Sequence, residues 1–275
     1  MRLSEPVVAP WRAQLDLGFE LRNGKTILAD KRSAGPLVVQ KPLYPEGDAA
    51  CHAIVVHPPG GIAGGDELHV NAKVLPGSHA LLTTPGAGKW YRSAGPRARQ
   101  SLSFEVEGAM EWLPRETIVF NGARAALDCH VRLGSGGRYL GWEVVCLGRT
   151  GSGESFTKGD IRLQTKVMRA GRPLLLERGR IDAGGRLMHS PAGLGGHAVF
   201  GTLLAASAAL DKNLLNLCRK AAPECVALTL LPGLLVARYL GDSSEVAMNE
   251  FIRLWKLLRP ALTGRPAVEP RIWST

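Results

Sequence analysis

Short runs in which apolar and polar residues alternate, separated by Gly and Pro, make up most of the chain. Between Ser101 and Glu107 the apolar side chains of Leu102, Phe104 and Val106 alternate with polar ones, so one face of a strand is buried. Such runs between turn residues are typical of a mainly β protein. The predicted strands are Leu37–Gln40, Ala53–His57, Leu68–Val74, Ala80–Thr84, Ser101–Glu107, Thr117–Phe120, Ala125–Leu133, Tyr139–Leu147, Ile161–Arg169, Leu174–Arg180, Val226–Leu230 and Leu234–Leu240.

Two helices are predicted, both late in the chain. Leu203–Ala222 is rich in Ala and Leu and stops before a proline. Asp242 and Glu245 form a capping-box-like start to the second helix, which Pro260 is expected to end. Its apolar residues share one face, which favours packing on the sheet over binding to a partner. These residues are Ala247, Phe251, Leu254, Trp255 and Leu258.

The overall composition is that of an ordinary globular protein, with 45% hydrophobic and 21% charged residues among 275. No apolar run approaches the roughly 20 residues of a membrane span, and the N-terminus lacks an apolar signal core. We therefore expect a cytoplasmic protein with no membrane partner. Because neither a fixed-period repeat nor a clear linker is visible, residues 1–275 are predicted to form a single domain.

The formal net charge of +10 raises the question of nucleic-acid binding. The arginines are scattered along the chain, there is no basic tail, and only 6% of residues are aromatic. This pattern predicts no nucleic-acid partner and suits carboxylate-rich protein partners. The five cysteines are odd in number, widely spaced and nowhere arranged as Cys-x-x-Cys, so we expect reduced and mostly buried thiols.

None of the candidate catalytic motifs in the sequence is complete. Residues 83–90 lack the first glycine of a phosphate loop and the Ser or Thr after Lys89, and the Gly-rich run 193–198 has no good strand before it. Neither Ser135 nor Ser152 lies in Gly-x-Ser-x-Gly, and the histidines show no zinc-site spacing. We therefore predict that the protein is not an enzyme and holds no tightly bound cofactor.

Three acidic residues stand in apolar, Gly-rich surroundings: Asp66, Glu143 and Glu177. A buried carboxylate is costly unless it pairs with a cation, accepts hydrogen bonds or touches a metal. Ordinary alternatives exist for each acid. Asp66 could cap a turn, Glu143 could occupy an outward-facing strand position, and Glu177 could pair with Arg178 or another arginine.

A series of short motifs along nearly the whole chain resembles the urease accessory protein D family, called UreD or UreH. These motifs are Gly35-Pro36-Leu37, Val39-Gln40-Lys41-Pro42, Tyr44-Pro45-Glu46-Gly47, Cys51-His52, His57-Pro58-Pro59-Gly60-Gly61-Ile62, Gly64-Gly65-Asp66, Thr84-Pro85-Gly86-Ala87, Lys89 with Tyr91-Arg92-Ser93, Glu111-Trp112-Leu113-Pro114, Leu147-Gly148-Arg149, Gly153-Glu154, Leu174-Leu175, Glu177-Arg178 and Arg271-Ile272-Trp273. Each motif is weak alone, but their number and order are hard to reproduce by chance.

The resemblance implies a β-helix-like stack of many short strands with a small C-terminal helical part. It also implies a complex with UreF and the GTPase UreG, which docks on urease apoprotein and supports nickel incorporation during urease maturation. In that scheme nickel is a transient cargo that crosses a water-filled interior route, and Asp66, Glu143 and Glu177 look like acidic positions along it. Oxygen ligands too sparse to trap nickel suit such a conduit.

Two other functions compete with the conduit. The chain could be a passive scaffold that joins urease apoprotein to the GTPase module without an internal ion path. It could also be a hydrolase that uses His57 and Asp66, although no activated nucleophile stands beside them.

Overall fold

The computed structural model describes residues 10–274, and these form two facing β-sheets, with two of the three helices on the outer side of one of them. The strands are β1 (Arg12–Arg22), β2 (Lys25–Ala34), β3 (Val38–Val39), β4 (Cys51–Val56), β5 (Glu67–Val74), β6 (His79–Thr83), β7 (Gly88–Trp90), β8 (Ala98–Val106), β9 (Ala109–Leu113), β10 (Thr117–Val119), β11 (Arg124–Leu133), β12 (Arg138–Leu147), β13 (Asp160–Arg169), β14 (Arg172–Asp182), β15 (Val199–Ala206), β16 (Val226–Leu231) and β17 (Leu234–Gly241). The helices are α1 (Arg186–His189), α2 (Lys212–Ala221) and α3 (Ser244–Thr263), with 3-10 turns at Thr150–Ser152 and Arg271–Ser274.

The chain winds back and forth between the two sheets. The first sheet has the order β14-β13-β11-β8-β5-β1-β2, and the second has β16-β17-β15-β12-β9-β6-β4-β3, with β10 pairing β12 and β7. From β4 to β13 successive strands alternate between the sheets, apart from the short β7 and β10, and neighbours within each sheet are parallel. This coiling confirms the predicted β-helix-like stack of short strands with a small C-terminal helical part. The sheets do not close on each other.

Two apolar layers hold the stack together. The first lies between the sheets and includes Leu102, Phe104 and Val106, as their alternation predicts. The second lies between the outer face of the second sheet and α3, where all five residues of the predicted apolar face are buried. Burial of apolar area in both layers is the main favourable contribution to folding. Within residues 10–274 no helix is both long and apolar enough to cross a membrane.

The predicted helix over Leu203–Ala222 is wrong in its first part. Residues 199–206 form β15, which pairs with both β12 and β17, and the helix begins only after Asp211, whose carboxylate accepts a hydrogen bond from Leu214 N at 2.8 Å. An Ala- and Leu-rich run is compatible with a buried strand as well as with a helix. Here pairing with β12 and β17, on either side, favours the strand.

The ends of α3 also differ from the prediction. Ser243 is the N-cap and accepts from Val246 N, whereas Asp242 instead accepts from Ala198 N. The helix continues past Pro260 to Thr263 and ends at Gly264 in the left-handed conformation. Near a helix end proline removes a single intrahelical hydrogen bond, and the buried contacts of the final turns outweigh that loss.

Several strands were absent from the prediction: β1, β2, β7, β9 and β15. The hairpin of β1 and β2 turns at Asn23-Gly24, where both residues have positive φ values of 50° and 78°. Asn-Gly between alternating runs is a strong hairpin signal, so the sequence contained the information for this pair.

Candidate functional site

A row of polar side chains crosses the inner face of the first sheet at its β14 end. Cys129 on β11 is in register with Thr165 on β13, and Thr165 is in register with Glu177 on β14. On the β8 side the same row continues into apolar residues, beginning with Leu102. Because side chains alternate strictly along strands, this register places all three polar groups toward the second sheet.

A second polar row lies opposite, on the inner face of the second sheet. Glu143 on β12 is in register with Thr202 on β15, which is in register with Arg238 on β17. The two rows line a cavity of about 230 Å³, large enough for several water molecules. The interior of this β stack is therefore hollow between the two polar rows.

Glu143 lies between that cavity and a larger one of about 300 Å³, because it lines both. Among the described residues no hydrogen-bond or ion-pair partner is found for its carboxylate. Burial alone raises the pKa of Glu143 from 4.5 to about 7. The alternative of an outward-facing strand position is wrong, since odd-numbered residues of β12 such as Tyr139 and Val145 face the inter-sheet core.

Two further titratable groups stand beside Glu143 in the smaller cavity. The Cys129 thiol and the Tyr139 hydroxyl both belong to residues that line this cavity. Burial raises the pKa of Cys129 to about 12, and it raises the pKa of Tyr139 well above its usual value. Both groups are therefore neutral at physiological pH, which leaves Glu143 and Glu177 as the donors of the cavity that can carry a negative charge.

Glu177 is paired with an arginine, as one of the sequence alternatives held, but the partner is Arg238 and not Arg178. Arg238 Nη2 donates to Glu177 Oε1 at 2.6 Å, and Arg238 Nη1 donates to Thr202 Oγ1 at 2.9 Å. The contact joins β14 of the first sheet to β17 of the second. Both side chains are about two-fifths exposed, so the ion pair lies where the smaller cavity meets solvent.

Asp66 lies apart from the other two acids. Its carboxylate accepts from the backbone N–H of Trp11 at 2.9 Å and of Ala63 at 2.8 Å, which is the turn-cap arrangement. It lines neither of the two cavities, although its charge acts on His57, which lines the larger one. Burial lowers the pKa of His57, and Asp66 opposes that shift.

The Gly-rich motif and the Lys89-Trp90-Tyr91-Arg92 segment form one wall at the mouth of the larger cavity. Ile62 N donates to Lys89 O at 2.7 Å, and Tyr91 N donates to Ile62 O at 2.9 Å. A Cβ added at Gly61 would lie 2.0 Å from Tyr91 Cε2, so only glycine lets the tyrosine ring approach this closely. The residues that line the mouth from this wall include His57, Gly60, Gly61 and Lys89.

A buried ionic network was missed at the sequence level. Glu111 on β9 accepts from Arg259 Nε at 2.9 Å and contacts His79 Nε2 at 2.6 Å, while Arg259 Nη2 donates to Glu46 Oε1 at 2.6 Å. His52 Nε2 lies 2.6 Å from the same Glu46 oxygen. Glu111 lies in an apolar strand just as Glu143 does. An acidic residue within an apolar run is the signal that singled out Glu143, and it could also have identified Glu111.

The donors of the interior could contact a metal ion but could not hold one firmly. Among residues 10–274 no group of three or more His, Cys, Asp or Glu side chains is close enough to form a metal site. The smaller cavity offers one free carboxylate at Glu143 and a second, at Glu177, that is engaged by arginine.

Comparison with known proteins agrees with the residue motifs. The family model described as UreD urease accessory protein matches residues 12–274. The chain is 54% identical over 269 residues to the urease accessory protein UreD of Azoarcus sp. (strain BH72), covering 96% of this chain and 94% of the relative. It is 53% identical over 282 residues to that of Dechloromonas aromatica (strain RCB), covering 99% and 98%.

The chain belongs to the UreD urease accessory protein family. A more distant UreD protein, from Pseudomonas fluorescens (strain Pf0-1), is 49% identical over 268 residues, covering 96% of this chain and 95% of the relative. The predicted resemblance to UreD is confirmed, and with it an accessory role in urease maturation in place of a catalytic one. The hydrolase alternative built on His57 and Asp66 loses its support, because Asp66 is engaged by backbone amides.

Proposed function

We propose that this UreD-family chain forms a complex with UreF and UreG on urease apoprotein and provides an interior route for the nickel that is incorporated there. The observation that carries the proposal is the position of Glu143, an unpaired carboxylate that lines two cavities between the sheets. A lone interior carboxylate is costly to retain without a cationic visitor.

The two cavities supply the path for such a visitor. The larger one opens beside His57 and the loop 84–89, and the smaller one opens beside Glu177 and Arg238. Nickel enters at one mouth, contacts Glu143 in the middle and leaves at the other. Asp66 serves this route indirectly, since its hydrogen bonds hold the loop that carries Gly64 and Gly65 next to the His57 mouth.

Sparse oxygen ligands are what such a route requires. Nickel binds imidazole and thiolate tightly, and a cage of these ligands would retain it. Here Cys129 is a neutral thiol, and the histidines His52 and His79 face carboxylates of the buried network and not the cavities. Cys129, His52 and His79 are thus protonated or occupied, and His57 at the mouth of the larger cavity is a single imidazole and not a cage, so nickel remains a transient cargo and no tightly bound cofactor is needed.

The decisive experiment replaces the carboxylate without changing its volume. In a strain that lacks this chain, a copy carrying Glu143→Gln should restore urease activity and nickel content per active site several-fold less well than the native copy. Glu143→Asp, which keeps the charge, should restore most of both. Co-purification with UreF and UreG should be unchanged for both variants, since the side chain is interior.

Glu105→Gln is the matched control, because Glu105 is an exposed acid on β8 that pairs with Arg132 at 2.6 Å. This variant should activate urease normally. Full activation by Glu143→Gln would instead favour the passive scaffold, in which the chain joins apoprotein to the GTPase module and no ion crosses its interior.

A further inference from the structure

The ion pair between Glu177 and Arg238 places a fixed cation in the cavity that the metal is proposed to cross. Arg238 is held from two sides, by the Glu177 carboxylate at 2.6 Å and the Thr202 hydroxyl at 2.9 Å. All three side chains line the smaller cavity together with Glu143. The guanidinium therefore already binds the Glu177 carboxylate, to which a passing metal ion would otherwise bind.

We propose that Arg238 is a built-in competitor for Glu177, which a divalent cation must displace before it can bind between Glu143 and Glu177 at the β14–β17 mouth of the cavity. The inference rests on the proposed function for its biological meaning, and it assigns to Arg238 the control of how tightly this mouth holds the ion. With Arg238 in place the cavity offers one free carboxylate. With Arg238 displaced it offers two.

The exposure of the pair makes displacement feasible. The Arg238 side chain is 43% exposed and the Glu177 side chain 40%, so the guanidinium can swing into water without leaving a buried charge behind. Arg259, by contrast, has a fully buried side chain and pairs with two acids, so it could not move in this way. A half-exposed pair is weak enough for a divalent ion to compete with.

Arg178 provides an internal comparison. It follows Glu177 on β14, so its side chain points to the outer face of the first sheet, where it is exposed, and within the described chain its guanidinium has no hydrogen-bond or ion-pair partner. Loss of Arg178 removes the same charge as loss of Arg238 but frees no carboxylate. The two arginines therefore separate competition for Glu177 from general electrostatic repulsion of cations.

The test measures binding of Ni²⁺ to the purified full chain by titration calorimetry at pH 7.5 in a weakly coordinating buffer. Arg238→Gln should tighten Ni²⁺ binding about tenfold, since it removes a unit charge a few ångströms from a divalent ion and frees a carboxylate oxygen. Arg178→Gln should change the affinity about threefold or less. Glu177→Gln should weaken binding.

The double variant decides the mechanism. If Arg238 acts by occupying Glu177, the gain from Arg238→Gln should be clearly smaller when Glu177→Gln is already present, because the charge is still removed but no carboxylate remains to be freed. An equal gain in both backgrounds, or no gain in either, would overturn the proposal. Thr202→Val, which removes only the hydroxyl that orients Arg238, should shift affinity in the same direction by a smaller factor, and it supplies the test should Arg238→Gln fail to fold.

These outcomes are independent of the nickel route itself. The activation experiment on Glu143→Gln addresses whether the interior carries nickel to urease. The calorimetric cycle addresses only whether Arg238 competes for Glu177. Failure of the first with success of the second would leave a weak cation site that arginine controls but that urease maturation does not use.

Discussion

Arg259 Nε donates to both carboxylate oxygens of Glu111, at 2.9 and 3.1 Å, with both side chains fully buried. The contact joins α3 to the central strand β9 across 148 residues of sequence. Trp255, one turn earlier on α3, donates to the same carboxylate. The hydrogen bond and charge of His79, the charge of Arg259 and the hydrogen bond of Trp255 hold the pKa of Glu111 below its usual value in spite of burial. The contacts from Arg259 and Trp255 fix the helix in position on the second sheet.

Removal of Arg259 should be strongly destabilising. Arg259→Met would leave the carboxylates of Glu46 and Glu111 buried without their shared cation, and we expect a loss of about 3–5 kcal/mol in the free energy of unfolding. Urea denaturation followed by far-UV circular dichroism measures it. Lys256→Met on the same helix is the control, because Lys256 and Glu269 form an exposed pair that should contribute about 1 kcal/mol or less. Equal losses for the two variants would contradict the structural role of the network.

Glu46 should make stability depend on acid pH. Burial alone would raise the pKa of Glu46, but hydrogen bonds and charges from His52 and Arg259 lower this pKa from 4.5 to about 2. A depressed pKa stabilises the folded state above the unfolded value, and that contribution is lost as pH falls from about 4.5 toward 2. Glu46→Gln should therefore cost roughly 3 kcal/mol at pH 7 and progressively less below pH 4.5. A difference that stays constant with pH would show that the charge is not responsible.

Glu143 should make the stability of the fold depend on pH in the opposite direction. Its pKa is raised to about 7, so the folded state binds the proton more tightly than the unfolded chain between pH 4.5 and 7. Stability falls across that window as pH rises, and Glu143→Gln removes the penalty. We expect the variant to match the native chain near pH 4.5 and to exceed its unfolding free energy by roughly 2–3 kcal/mol at pH 8. A destabilised variant at pH 8 would mean that the carboxylate has a cationic partner in the folded chain.

Trp273 should anchor the C-terminal segment. Its indole Nε1 donates to Thr83 Oγ1 at 2.8 Å, and its ring lies 5.9 Å from that of Trp142 and 5.8 Å from that of Trp255. Trp273→Ala should lower the free energy of unfolding by about 3 kcal/mol. Trp11→Ala, at a half-exposed ring, should cost about 1 kcal/mol or less. Thermal melts of the two variants provide the comparison, and similar melting temperatures would refute the anchor.

The hydrophobic pattern was sufficient for features that depend on neighbours in sequence. Alternation between Ser101 and Glu107 identified β8 and its buried face, and the 3.6-residue period identified the buried face of α3. The Asn23-Gly24 turn carried enough information for the β1–β2 hairpin, although that pair was not predicted. Local geometry fixes which residues share a face, so these features are readable from sequence.

The hydrophobic pattern did not predict the correct element where a helix and a strand satisfy it equally well. Leu203–Ala206 could continue a helix or fill a buried strand, and only the presence of β12 and β17 on either side makes it β15. The same limit applied to Glu143. Its neighbours showed an apolar strand, but which face of β12 meets the first sheet depends on how the whole chain coils.

The sequence by itself determined that this is a mainly β protein of the UreD family with unusual acids at 66, 143 and 177. Only the tertiary structure decided what each acid touches: backbone amides for Asp66, a cavity for Glu143 and Arg238 for Glu177. The reason is the range of the interactions. Strand periodicity arises from adjacent residues, whereas the partner of Glu177 lies 61 residues away on the other sheet and is brought near by the registers of five strand pairings that no local pattern encodes.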